Sequence, residues 1–271
     1  MPGSLRNAPP ASRRRAMQAL TLLSLVIAAM AFPNIGRTEA QPAFTPGERL
    51  VYRLRWTIVD AGEAELNVRP MTTIDGQTAW HFTLSVRSNA FIDAFYKVRD
   101  VVDAYADTGM TRSVYYKKEQ HEGRTERDVT VAFDWKTNTA RYTKVEKEGI
   151  EAKTSPLMAG SFDPLSALFF VRSVPITGTG MIIERPITDG NKNVVGQVRV
   201  VKREKITVRG KSYDTFLIEP DLKHVGGVFE KSPGAKIQIW VTADHRHIPI
   251  LLKSEVIVGS FVGELMEASG I

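Results

Sequence analysis

The chain has 271 residues, a formal net charge of +6 and no cysteine. The missing cysteine excludes disulfides, thiol nucleophiles, thiolate metal sites and a lipidated N-terminal cysteine. Five arginines and one acid precede Gln41, so residues 41–271 carry only +2. The basic runs that remain, Lys117-Lys118 and Lys202-Arg203, sit beside Glu119 and Glu204, which argues against a nucleic-acid footprint.

Residues 1–40 read as a signal peptide. Arg6 and Arg13-Arg14-Arg15 form a basic head, Ala16 to Phe32 a mostly apolar middle, and Ala40 a small residue at a cleavage point. The apolar run is 17 residues, at the short end for a span of ~20. A membrane anchor and a twin-arginine signal are the minor alternatives; Arg15-Ala16 stands where the latter wants a bulky apolar residue. No later stretch approaches an apolar span, so no transmembrane crossing is expected in the mature chain, and the periplasm is the expected compartment.

From residue 50 onward apolar and polar residues alternate, the mark of half-buried antiparallel strands. Tyr52, Leu54, Trp56 and Ile58 fall on one face, Arg53, Arg55 and Thr57 on the other. Asp60-Ala61-Gly62 turns the chain into the row Ala64, Leu66, Val68. Asp75-Gly76 signals a hairpin leading to Trp80, Phe82, Leu84 and Val86. Ser88 and Asn89 can cap a short helix with Phe91 and Phe95 on one side. Strands are then expected over Val98–Ala106, Ser113–His121, Thr125–Phe133 and Ala140–Lys147, followed by a loop over 149–162 that is the best candidate boundary. Asp163-Pro164 starts a second helix, with aspartate as N-cap and proline in the first turn. Its Leu165, Leu168, Phe169 and Val171 suit a helix crossing or plugging a sheet, and Pro175 ends it.

The remaining strands are expected at Met181–Thr188, Val194–Arg203, Lys205–Arg209, Tyr213–Glu219, Ala235–Val241, Ile248–Val258 and Ser260–Met266. Pro186 marks the first of them as a sheet edge. The chain is therefore expected to be mainly β. About a dozen strands form an antiparallel β-barrel or curved half-barrel with one or two short helices, within a single β-rich domain over 41–271.

Four stretches resemble the bacterial domain-of-unknown-function family numbered 3108. They are Gly47 to Tyr52 with Trp56, Ala61-Gly62 and Ala64; Ser88 to Phe91 with Phe95 to Asp100; Asp163 to Ala167; and Ile239-Trp240 with Asp244, Arg246 and Ile248-Pro249. The resemblance implies an exported antiparallel β protein of Gram-negative envelopes. It brings no established activity and no functional residues.

Catalytic patterns are sparse. Ser166 lies inside a helix, there is no G-x-S-x-G elbow, and Gly178-Thr179-Gly180 lacks a phosphate-binding lysine. The carboxylate pairs Asp60/Glu63 and Asp100/Asp103 are explained by charged strand faces. His245 and His247 with His224 could form a three-histidine site only if a turn at Asp244 did not intervene. No metal or cofactor is expected. An outer-membrane barrel is disfavoured by Arg53, Arg55, Glu63 and Glu65 on the outward positions.

The sequence thus points to a protein that binds an apolar or amphipathic envelope ligand, a lipid or glycan fragment, without catalysis. The candidate ligand-binding residues are Trp56, Phe91, Phe95, Tyr96 and Arg99. Arg99 with Asp100 would hold an acidic head, and the phenylalanines an apolar body. The bland alternative places the phenylalanines in the core. Two other functions stay open: an envelope assembly factor working through a strand edge, and a hydrolase with an unrecognised site.

Overall fold

Two antiparallel meanders are joined side by side through the first and last strands. The structure, a computed structural model, describes residues 42–221, 236–256 and 259–271, with backbone only at 256 and 259. The expected signal peptide, His224 and the start of the strand placed at Ala235 lie outside the described residues.

The first meander runs β1 (Arg49–Trp56), β2 (Val59–Ile74), β3 (Gln77–Ser88), β4 (Arg99–Asp107), β5 (Ser113–Glu122), β6 (Thr125–Asp134), β7 (Thr139–Glu146) and β8 (Gly149–Pro156). The second runs β9 (Ile182–Thr188), β10 (Asn193–Val208), β11 (Lys211–Pro220), β12 (Lys236–Thr242), β13 (Pro249–Val256) and β14 (Gly259–Ser269). β1 pairs with β14, so all fourteen strands form one sheet with β8 and β9 as its edges. Helix α1 (Ala90–Asp93) links β3 to β4, and α2 (Pro164–Ser173) lies between β8 and β9.

The sheet is not closed, yet it curls until its edges meet. Laid flat, fourteen strands would hold the edges roughly 60 Å apart. Instead Ser155 Oγ donates to the Gly190 carbonyl at 2.9 Å, and Asn193 Nδ2 to the Pro156 carbonyl at 2.8 Å. Phe162, just past β8, donates its N–H to Pro186 and accepts from Thr188 on β9 at 2.9 and 2.8 Å. Gly190 is required at this seam. Its φ is +85°, and a Cβ there would come within 2.8 Å of Val131 and 3.0 Å of Tyr142. The fold is thus the curved half-barrel, and Pro186 does sit on an edge strand.

Two expectations about elements are corrected. The loop placed over 149–162 is in its first half strand β8. Seven of the eight β8 residues are exposed, so no core face imposes alternation, and the sequence pattern that marks other strands is missing. The strands expected at Val194–Arg203 and Lys205–Arg209 are one strand, β10, with a register shift between Val200 and Lys202. A bulge interrupts the alternation while the ladder continues.

Helix α2 fills the concave side. Its sequence is apolar nearly all round, which is the signature of a buried helix. Phe169 stacks on Phe82 of β3 at 3.8 Å, and Phe44 packs edge-on against both. The small residues Ala104 and Ala106 of β4, fully buried, keep the sheet surface low beside the helix. Asp163 caps the N-terminus as expected, accepting from Leu165 and Ser166 N–H at 2.9 and 2.8 Å. Ser113 of β5 donates to its other oxygen at 2.5 Å and accepts from the Asp163 N–H at 2.8 Å.

The other end of α2 is held by a buried ion pair. Arg172 is 1% exposed and Glu48 2%; the guanidinium meets both carboxylate oxygens at 2.7 and 3.0 Å. It also donates to the carbonyls of Ala43 and Arg246, both at 3.2 Å, and lies over the Phe44 and Phe169 rings. All the ionic partners are therefore satisfied, which is the condition for such a pair to be tolerated. The Arg172 carbonyl in turn lies 2.8 Å from His247 Nδ1, so that nitrogen carries the proton and donates there. Burial pushes the His247 imidazole below its ordinary value, opposed first by its hydrogen bond to the Arg172 carbonyl and then by the Asp244 charge, and helped to a lesser degree by the Arg172 and His245 charges.

Two predictions test this anchor. Arg172→Met alone should lose about 3–5 kcal/mol in a urea titration, because Glu48 is left buried and unpaired. Replacing both, Glu48→Met with Arg172→Met, should restore most of that loss. The His247 contribution is complete above the unfolded pKa near 6.5 and is lost as pH falls through the lower folded value. Urea midpoints should therefore drop on going from pH 7.5 to pH 5, and His247→Asn, which suits the φ of +42°, should flatten that drop.

Candidate functional site

β1 carries the site on its inner face. Register with β2 and β14 keeps Leu50, Tyr52, Leu54 and Trp56 on one side. Leu50 is fully buried in the core, and the Tyr52 hydroxyl donates to the Pro249 carbonyl at 3.0 Å. Toward the end of the strand the inner face leaves the core. Trp56 is 44% exposed, and Phe261, its partner on β14, is 43% exposed. Their rings stack at 6.4 Å with an interplanar angle of 15°.

Leu54 and Leu252 extend this face on either side of Gly263. A Cβ on Gly263 would lie 3.6 Å from Leu54 and 3.7 Å from Leu252, so the glycine leaves a low floor between them. Val86 continues the same inner row on β3, opposite Ala64. The arrangement is an apolar wall with two stacked aromatics, of the kind that receives an apolar ligand body.

Helix α1 stands at the same end of the sheet. It forms because Asn89 accepts from the Ile92 N–H at 3.0 Å as N-cap. Asn89 also ties the helix to the start of β2, donating to the Asp60 and Ala61 carbonyls at 2.6 and 2.9 Å. Gly62 makes this approach feasible: a Cβ there would sit 2.0 Å from the Arg87 carbonyl oxygen. Phe91 and Phe95 form an edge-on pair at 5.7 Å and are 63% and 78% exposed. They are therefore not core. Tyr96 lies against Gly123 and points its hydroxyl at Glu122, 3.5 Å away. Partial burial, then the Glu122 charge, raises the phenol above its ordinary range.

Arg99 has a different role from the one expected. Its guanidinium is spent on α1: it pairs with Asp93 at 2.6 Å and donates to the Ser88 and Val98 carbonyls at 3.2 and 2.6 Å. The hydrogen bond from Arg99, then that from Ser88, holds the Asp93 carboxyl below the usual range. Asp100 does not pair with it, accepting instead from the His121 N–H at 2.9 Å. Five residues were thus read as one site. Trp56 belongs to the inner wall, Phe91, Phe95 and Tyr96 to an exposed rim, and Arg99 to the tie beneath that rim. Leu252 and Phe261 were missed, because the β1–β14 pairing joins residues some two hundred positions apart.

The other chemical candidates resolve into structural contacts. Asp60 pairs with Arg53 and Glu63 with Arg87, both on the outer face. His81 bonds Asp103 at 2.7 Å and stacks on Tyr105. His247 is buried against the helix end, on the turn at Asp244. Among the described residues no group of three metal-ligating side chains gathers, and no helix is long and apolar enough to cross a membrane.

The family described as "Protein of unknown function (DUF3108)" matches residues 51–266. The chain belongs to that family. The match contains Trp56, Phe91, Phe95, Tyr96, Arg99, Leu252 and Phe261, so the wall and the rim are both built from family sequence. No curated protein matches. The crystal structure of a beta-barrel-like protein of domain of unknown function DUF1849 from Brucella abortus is similar at a TM-score of 0.55 and 9% identity, over 83% of this chain and 98% of that one. That likeness concerns the fold. A protein with a YmcC-like fold from Bacteroides fragilis aligns over 83% of this chain and 97% of its own, with a TM-score of 0.36 and 6% identity.

If Arg99 serves to hold α1, Arg99→Met should speed amide exchange at Ile92 and Val98 by about tenfold while leaving the β3 and β4 core amides unchanged. Equal acceleration throughout the sheet would show that Arg99 stabilises the whole fold instead.

Proposed function

We propose that this is an exported, periplasmic binding protein of one domain that takes up the apolar part of an amphipathic envelope ligand, without catalysing a reaction. The observation that carries this reading is the half-exposed wall of Trp56, Phe261, Leu54 and Leu252 on the concave side of the sheet. Aromatic surface left half-covered on an inner face, where the sheet could have been filled, is costly unless something covers it. Covering the two rings would return about 1–2 kcal/mol each. Phe91, Phe95 and Tyr96 supply further apolar surface on the rim beside it, and the basic, short-apolar leader supports export.

The test is uptake of N-phenyl-1-naphthylamine, an apolar probe whose emission rises on burial. Trp56→Glu and Phe261→Glu should each weaken uptake by about tenfold or more, since a buried carboxylate has no partner there. Phe91→Asp, on exposed rim surface, should weaken it less. All three should keep the wild-type melting temperature within a few degrees. Undiminished uptake in both wall variants would sink the proposal. Probe binding lost together with folding would assign the wall to the core.

A further inference from the structure

A cavity lies beside α2, away from the Trp56 wall, and we propose that it binds a small amphiphile with one anionic headgroup, a monocarboxylate, with Arg185 as the headgroup anchor. The cavity measures about 510 Å³ and opens between α2 and the β9–β10 hairpin. Its walls are mostly apolar: Ala167, Phe170 and Val171 from the helix, Ile183, Ile187 and Val198 from the strands. None of these residues belongs to the Trp56 wall. The volume falls within the range of sites for small organic ligands.

Arg185 gives the cavity its chemical preference. Its guanidinium carbon lies 4.2 Å from the Phe170 ring centroid and 5.7 Å from that of Phe162, and those rings stack on each other at 5.3 Å. Nε is buried and has no hydrogen-bond partner. Among the described residues the guanidinium makes no ion pair and no hydrogen bond, while the acids nearest in sequence are already engaged. Glu184 accepts from Gln197 at 2.6 Å, and Asp189 accepts from the Asn191 and Lys192 N–H groups at 2.8 Å. This contrasts with Arg172, which is paired and bonded on every side. A guanidinium resting on two phenyl faces has lost part of its water without gaining a counter-ion. An oxyanion arriving with its apolar chain along Ile183 and Val171 would supply the missing acceptor, in the two-bond geometry that arginine favours.

The charge count selects a monoanion. Among the described lining residues, Arg185 and Lys192 are matched in number by Asp189 and Asp221. One carboxylate can be matched by Arg185, whereas a dianion would also face the two acids.

Calorimetric titration of the full chain with three ten-carbon probes tests the proposal: decanoate, decanol and decyltrimethylammonium. Decanoate should bind at least about tenfold tighter than decanol at pH 7.5, and the ammonium probe should not compete with it. Arg185→Met should erase the preference for decanoate over decanol; Arg185→Lys should retain part of it. The wild-type comparison needs no variant, so it stands even if a substitution disturbs folding. Trp56→Glu should leave the decanoate preference unchanged, which separates this site from the wall. Equal affinity for the acid and the alcohol in the wild-type protein, or an unchanged preference in Arg185→Met, would overturn the assignment. Loss of decanoate binding in Trp56→Glu but not in Arg185→Met would place the carboxylate on the wall and equally overturn it.

Discussion

The buried pair of Arg172 and Glu48 is the constraint on which the rest of the molecule depends. It joins the last turn of α2, the longer of the two helices among the described residues, to the segment that leads into β1. The helix connects the two edges of a fourteen-stranded sheet, so its position decides how far the sheet must curl. With Asp163 held by Ser113 at one end and Arg172 held by Glu48 at the other, α2 cannot slide along the concave face. Apolar packing alone, such as Phe169 on Phe82, would leave that freedom, because hydrophobic contact has no direction. The directed bonds at the two ends remove it.

That fixed helix divides the inner face into regions with different fates. Beneath it the sheet is filled, and alanines replace large side chains where space is short. Beyond the filled region, β1 and β14 carry inner-facing aromatics that are only half covered. Beside the helix lies the cavity that Arg185 enters. The outer face is different again: Arg49, Arg53, Arg55 and Arg87 pair there with Glu65, Asp60, Glu264 and Glu63. Such exposed pairs add little stability, but they keep the convex side solvated. Exposed aromatic surface stands on the inner side at Trp56 and Phe261 and on the rim that holds α1 at Phe91, Phe95 and Tyr96.

The proposed binding of an amphipathic molecule rests on this distribution of apolar surface. Several titratable groups are committed to a neighbour: His81 to Asp103, His247 to the Arg172 carbonyl, Asp93 to Arg99, Asp163 to Ser113 and the helix N–H groups. Groups held in this way position elements of the fold. Arg185 has no such commitment among the described residues, although its Nε is buried.

Local chemistry determined by itself much of what this protein is. Period-two alternation set the antiparallel strands, Asp75-Gly76 placed a hairpin turn, and Asp163-Pro164 started the helix, because each depends on residues within a few positions of one another. The exposed edge strand β8 escaped notice, since an edge with no buried face has no pattern to show. Only the tertiary structure decided the rest. It paired β1 with β14, brought Phe261 onto Trp56, set Glu48 against Arg172 across 124 positions, and left Arg185 between two rings without an anion. Those contacts join residues far apart in the chain, and they exist only once a helix running from one sheet edge to the other has forced the sheet to curl.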